Sequence, residues 1–276
     1  MKLYISADME GTAGIATWAQ VEPANTAEYP RSQLWMTREV RAAIDGAREV
    51  AEVEVLLNDS HYRMRNLLWD ELPSDIRMIV GNRKPYSMVQ GAHGFDAAFF
   101  TGYHAAVGTA DGVLDHSYTS ETLYTVRING TPCSEALLNA ALLGFEGVPV
   151  VLITGDRATV EQAQQAMPWI TGVIVKDGIG RYATDTVSPA RACELIRAGA
   201  ATAVRGLAGA QPFRFEPPIV LEIDFVATHN ADFAELIPGV ERTAGRSVRY
   251  THDDYPTVFR TFLAAMRLGA AANADP

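Results

Sequence analysis

Cysteine is nearly absent from this 276-residue chain, with Cys133 and Cys193 the only two. Two thiols cannot frame a disulfide scaffold, and their scarcity fits a reducing compartment. Long apolar runs are missing as well. The longest stretches free of Asp, Glu, Lys and Arg, Ala97 to Ala110 and Gln162 to Val175, hold 14 residues each, short of the roughly 20 that a membrane-spanning helix needs. Positive charge is the minority sign: 23 Lys+Arg against 33 Asp+Glu gives a net charge of −10, and no basic cluster stands out along the chain. Such a balance opposes attraction to a phosphate backbone, so neither nucleic acid nor membrane is an expected partner. The chain runs from Met1-Lys2 into Leu3-Tyr4-Ile5-Ser6 and then meets Asp8 and Glu10. The flank, apolar stretch and cleavage site of a secretory signal are not seen there, and the expected location is cytoplasmic.

Repeats and low-complexity tracts are also lacking, which leaves an ordinary globular composition, 48% hydrophobic and 20% charged. Short apolar runs at Leu3–Ser6, Val53–Leu57, Met78–Val80, Ala97–Thr101 and Val148–Ile153 read as buried strands. Between the first two, Val40, Ile44, Ala47 and Val50 recur at helical spacing, with Arg38, Arg41, Asp45 and Arg48 facing elsewhere. Ser134–Phe145 and Arg157–Met167 continue the alternation, and Ser188-Pro189 supplies an N-cap and first turn for a helix to about Val204. The expected fold is α/β, a mostly parallel sheet flanked by helices over residues 1–205. Past the Gly- and Pro-rich connector from Gly206 to Pro218, residues 206–276 read as a smaller C-terminal α+β unit, either separate from the first or integral to it. Its strand, Ile219–Val226, sets Glu222 and Asp224 on one face. Its closing helix carries Tyr255, Phe259, Phe262 and Met266 on a docking face.

The positions of the candidate ligands carry the chemistry. Asp8 and Glu10 follow the first expected strand, His61 the second, and His104 the strand at Ala97–Thr101; Glu135 opens a helix and can close the set. In open α/β sheets, ligands bind beyond the carboxyl ends of the strands, so these residues are expected to converge. Each has a plainer reading as well: Asp8 as a helix cap, His61 as a turn residue, His104 as a hydrogen-bonded core histidine. Two imidazoles and three carboxylates are too many anions for one tetrahedral zinc but suit two divalent ions, with Asp8 as the bridge. Such a pair activates water and polarises a carbonyl, which points to hydrolysis. The glycines of Asp8-Met9-Glu10-Gly11-Thr12-Ala13-Gly14 lack the spacing of a phosphate loop, and two carboxylates at its mouth oppose phosphate.

Several segments together resemble the bacterial zinc-dependent D-aminopeptidases associated with a dipeptide-transport system. They are the opening Met1 to Gly11, Asn58-Asp59-Ser60-His61, Lys84-Pro85-Tyr86-Ser87-Met88-Val89, Gly102-Tyr103-His104-Ala105, His116-Ser117, and Glu135 followed by Leu138-Asn139-Ala140. The similarity covers most of the chain and weakens after about residue 185. The resemblance implies a binuclear-metal aminopeptidase acting on short peptides with an N-terminal D-residue, such as D-Ala peptides. It further implies two zinc ions per subunit held by Asp8, Glu10, His61, His104 and Glu135, with His116 as the catalytic histidine. A ring-like homo-oligomer, a decamer, is implied as well. By residue chemistry alone, Mn2+ or Co2+ suits the same donors, His116 reads as a loop histidine, and a binuclear phosphoesterase or an aminopeptidase of other stereochemistry stays open. Cys133 is read as a small buried side chain that could ligate zinc only as a thiolate. His93 is read as a surface residue, and His229 and His252 receive no role.

Overall fold

The computed structural model describes residues 1–274. In chain order its strands are β1 (Lys2–Ala7), β2 (Glu54–Asp59), β3 (Arg77–Ile79), β4 (Ala97–Tyr103), β5 (Leu123–Ile128), β6 (Thr131–Pro132), β7 (Val150–Asp156), β8 (Thr171–Gly180), β9 (Ala183–Thr186), β10 (Ile219–Phe225), β11 (Glu241–Ala244) and β12 (Ser247–His252). The helices are α1 (Trp18–Val21), α2 (Tyr29–Arg48), α3 (Glu135–Phe145), α4 (Arg157–Ala166), α5 (Pro189–Arg205), α6 (Thr228–Ala234) and α7 (Tyr255–Ala271).

Seven strands form the main sheet in the order β3-β2-β1-β4-β7-β8-β9, parallel throughout except for the antiparallel β8–β9 hairpin at one edge. Both faces are covered, as parallel sheets require. Along β1, Leu3, Ile5 and Ala7 join an apolar core with α2 and α5, whereas Tyr4 joins a second core with α3, α4 and α7. This two-sided burial is why the strand sequences read as near-continuous apolar runs. The expected cap at Ser188 is present, its hydroxyl accepting from the Arg191 amide, and the Ser134 hydroxyl caps α3 in the same way by accepting from that of Leu137. Helix α2 starts well before the Val40 stripe, with Pro30 in its first turn.

A second sheet is antiparallel, in the order β11-β12-β10-β5-β6. Residues 123–132 thereby share a sheet with strands from beyond residue 219, and Arg127 on β5 pairs with Asp224 on β10 at 2.8 Å. Helix α7 buries Tyr255, Phe259, Phe262 and Met266, and the Tyr255 hydroxyl donates to the Leu138 carbonyl of α3 at 2.8 Å. The second sheet and its helix therefore bear directly on the helix that begins with Glu135.

Strand order reverses direction at β1: β2 lies on one side and β4 on the other, which makes the β1/β4 boundary the topological switch point. Two glycines let the chain cross there. A β-carbon on Gly11 would lie 1.9 Å from the Tyr103 carbonyl oxygen. Gly102 has φ +67° and would set a β-carbon 2.3 Å from the Asp8 carbonyl oxygen. The Gly11 amide donates to the Gly102 carbonyl and the Asp8 amide to that of Thr101, each at 2.8 Å. The Asp8–Glu10 turn is thus laced to the end of β4.

Candidate metal centre

At this carboxyl edge the structure brings together all six residues singled out above. Asp8 and Glu10 follow β1, His61 follows β2, His104 follows β4, Glu135 is the first residue of α3, and His116 arrives from the β4–β5 connection. All six are buried. His61 Nδ1 lies 3.0 Å from Glu10 Oε2 and 3.4 Å from Asp8 Oδ1; His104 Nε2 lies 3.5 Å from Asp8 Oδ2 and 3.2 Å from Glu135 Oε1. His116 Nε2 is 3.7 Å from Glu135 Oε1 and 4.0 Å from Glu10 Oε1. Asp8 stands between His61 and His104 and offers one oxygen to each side.

The second nitrogen of each imidazole meets a backbone carbonyl: His61 Nε2 donates to Val21 at 2.8 Å, His104 Nδ1 to Ala105 at 3.1 Å, and His116 Nδ1 to Leu114 at 2.8 Å. A carbonyl can only accept, so these nitrogens carry the hydrogen. The opposite nitrogen of each ring faces the carboxylates, where it can carry a proton or, once deprotonated, ligate a metal. Such outer bonds orient metal-ligating histidines.

Two buried atoms, Asp8 Oδ2 and His104 Nε2, make no hydrogen bond, although they face each other. Buried polar groups without partners are costly. A cation between them satisfies both at once, so the residues fit a metal. Two groups have their donor atoms close enough to hold one: Asp8 with Glu10 and His104, and His104 with His116 and Glu135. His61 adjoins the first through Asp8 and Glu10. His116 therefore sits within ligand reach and not merely nearby.

The electrostatics agree with a cage built for positive charge. Burial, with Glu10 alongside, pushes Asp8 up to about 7. Burial opposes protonation of His104, but Glu135 and Asp8 outweigh it and carry the ring up to about 10. His61 is likewise held well above the ordinary imidazole range, against burial, chiefly by Glu10. Glu10 and Glu135 are depressed despite burial by His61 and His104 respectively. His116 goes the other way, lowered by burial and by the His104 charge.

Supporting residues that sequence reasoning missed surround the cage. The Lys176 ammonium on β8 is fully buried and donates to the carbonyls of Glu10, Thr12 and Ile15. Its only signal in the sequence is that it ends the uncharged run from Gln162 to Val175, with Asp177 directly after it. The strand bearing it is diluted by Gly172, Gly178 and Gly180. Asp59 accepts from the backbone of Leu67 at 2.8 Å and the side chain of Asn66 at 2.6 Å, and Asn66 also holds the His61 carbonyl at 2.7 Å. Cys133 is buried outside both metal groups, its thiol pushed up to about 12 by burial and donating to the Thr131 carbonyl. His93, His229 and His252 lie on the exposed surface, against Glu146, Asn273 and the Asp254 amide.

A buried histidine and carboxylate cage at the carboxyl edge of a parallel sheet defines a metal-dependent hydrolytic enzyme. The model of peptidase family M55, D-aminopeptidase, matches residues 1–264, and the chain belongs to that family. It is 35% identical over 273 residues to a D-aminopeptidase of Bacillus subtilis (strain 168), covering 97% of each chain. Among solved structures it superposes on the Zn-dependent D-aminopeptidase DppA from Bacillus subtilis, described as a self-compartmentalizing protease. That match has a TM-score of 0.93, 34% identity and 98% coverage of both chains. The protein is accordingly a metal-dependent peptidase of the D-aminopeptidase family.

Proposed function

We propose that this protein is a zinc-dependent aminopeptidase that removes an N-terminal D-residue from short peptides such as D-Ala-D-Ala. The observation that carries this reading is the facing pair of buried, unpartnered donors, Asp8 Oδ2 and His104 Nε2, in a chain related over nearly its whole length to D-aminopeptidases. Asp8, Glu10, His61, His104 and Glu135 would hold two zinc ions, with Asp8 shared between them. The chemistry supplied by a bound zinc pair is polarisation of the scissile carbonyl and activation of water.

His116 is the proton carrier in this reading. Its Nδ1–H is committed to Leu114, and its lowered pKa leaves Nε2 unprotonated at neutral pH. Nε2 can then accept a proton from the attacking water and pass it to the leaving amine as the C–N bond breaks. Its nearness to His104 and Glu135 also favours a second role as a ligand, and metal content of the His116→Ala protein separates the two.

The relative's description as self-compartmentalizing supports an oligomer that encloses the active sites, for which we propose a ring-like decamer; a monomer in light scattering would overturn this. No helix among the described residues is long and apolar enough to cross a membrane. The proposed location, the cytoplasm, is supported by two free cysteines that fit a reducing compartment. The deciding experiment measures release of free amino acid from D-Ala-D-Ala and L-Ala-L-Ala by native, chelator-treated and zinc-restored protein. Hydrolysis of the D-peptide alone, lost on chelation and recovered with zinc, is expected. Preference for the L-peptide, or activity indifferent to chelation, sinks the reading.

A further inference from the structure

Two loops flank the carboxyl ends of β2 and β3 beside His61. The Gly81 amide donates to the Met64 carbonyl at 2.6 Å, and the Asn82 side chain to that of Tyr62 at 3.4 Å, so residues 61–66 and 81–84 form one rim. This tie gathers Arg63, Arg65, Arg83 and Lys84. Neither residues 61–69 nor residues 81–95 contain a single Asp or Glu, in a chain whose net charge is −10. Among the described residues none of the four cations forms a salt bridge, and the side chains of Arg63, Arg65 and Arg83, all exposed, hydrogen-bond to nothing in the protein.

Lys84 is the innermost of the four. Its half-buried ammonium donates to the Asn58 side-chain oxygen and, at 2.8 Å, to the Asp59 carbonyl. Both acceptors are neutral, the nearby Asp59 carboxylate is taken up by Asn66 and Leu67, and the third N–H has no partner, so burial outweighs the compensation of the charge, a situation that an arriving anion relieves. The carbonyl it holds lies two residues from His61, and two residues span at most about 7 Å. That is also about the length of a dipeptide from amine to carboxylate. Tyr62 on this rim is half exposed, its ring 6.2 Å from that of His61 and under the Arg63 guanidinium at 5.6 Å.

We propose that Lys84, flanked by Arg63, Arg65 and Arg83, binds the C-terminal carboxylate of the peptide substrate while the cage holds its N-terminal end. The inference rests on the aminopeptidase reading above and adds to it a preference for short peptides with a free carboxyl end. A charge-assisted contact of this kind is expected to favour the free acid by roughly ten- to a hundred-fold in kcat/KM.

The test compares D-Ala-D-Ala with its C-terminal amide in wild type, Lys84→Met, Lys84→Arg and Arg83→Ala, with zinc content measured in each. Wild type should prefer the free acid. Lys84→Met should lower that preference toward unity through KM with zinc retained, and Lys84→Arg should restore part of it. Arg83 is exposed, so Arg83→Ala tests the rim even if Lys84→Met fails to fold, and it too should reduce the preference. Zinc-dependent hydrolysis of both peptides at equal efficiency by wild type, or a preference unchanged in the variants, overturns the carboxylate site alone. Hydrolysis of neither peptide by the zinc-loaded protein overturns the aminopeptidase reading with it.

Discussion

The imidazole of His116 stacks on that of His104, ring centroids 3.9 Å apart and planes within 10° of parallel. Positive charge on the His104 ring, from a proton or a coordinated cation, therefore acts across the stack and disfavours a second positive charge on His116. Two rings of the same chemistry are driven to opposite protonation states, a recurrent sign of divided labour in active sites.

From this division, His104→Ala should abolish zinc-dependent hydrolysis together with bound zinc, whereas His116→Ala should keep its zinc and lose roughly 10²- to 10⁴-fold in kcat. Metal analysis alongside kcat checks both. Zinc lost from His116→Ala would reassign that residue as a ligand, and full activity would remove it from the reaction.

Metal binding should release protons. With His104 carried up to about 10 and His61 held well above its ordinary range, both rings are protonated near neutral pH in the metal-free protein. Zinc must displace both protons, so apparent affinity rises with pH over the neutral range. Calorimetric titration in buffers of different ionisation enthalpy reads the number released, and a value near zero contradicts the assignment of these rings.

Arg181, at the β8–β9 turn, clamps the His116 loop from outside. Its guanidinium meets Asp115 Oδ1 at 3.0 Å and the Asp115 carbonyl at 2.9 Å, while its own carbonyl receives the Leu114 amide at 2.9 Å. Arg181→Met should therefore lower kcat by about ten-fold or more through misplacement of His116, with zinc content intact and partial recovery in Arg181→Lys. An unchanged kcat would show that the backbone pairing suffices.

Lys176→Met should be costly for stability. It leaves the carbonyls of Glu10, Thr12 and Ile15 without their shared donor and Glu39, also buried, without its nearby cation. Removing one partner from a buried charged set costs roughly 3–5 kcal/mol. Urea unfolding should register that loss, and zinc should bind more weakly because the Glu10 turn is no longer held.

What could be read in the sequence follows from how local each signal is. The strands ending at Ala7, Asp59 and Tyr103 are buried on both faces and announce themselves as apolar runs, so the candidate ligands just beyond them, Asp8, Glu10, His61 and His104, are legible from position alone. Strand β5 was not: Leu123, Val126 and Ile128 are buried between the exposed or half-buried Tyr124, Thr125 and Arg127. Its partner β10 lies more than 90 residues away. His116 sits on an irregular connection whose shape depends on Leu114 at φ +54° and Tyr118 at φ +60°. No periodicity points to such a residue, and only the family resemblance singled it out. Lys176 and Arg181 act through backbone carbonyls and a neighbouring loop, contacts that exist only after β8 has joined the sheet.

The anchoring of all three imidazoles to main-chain carbonyls, at Val21, Ala105 and Leu114, has a consequence for divergence. Every residue type supplies a carbonyl, so no replacement at these three positions deletes an anchor outright. An inserted or deleted residue does, because it carries the carbonyl out of register with the ring. These segments are free to drift in composition and constrained in length, and the spacing around the histidines should outlast the identity of the residues that hold them.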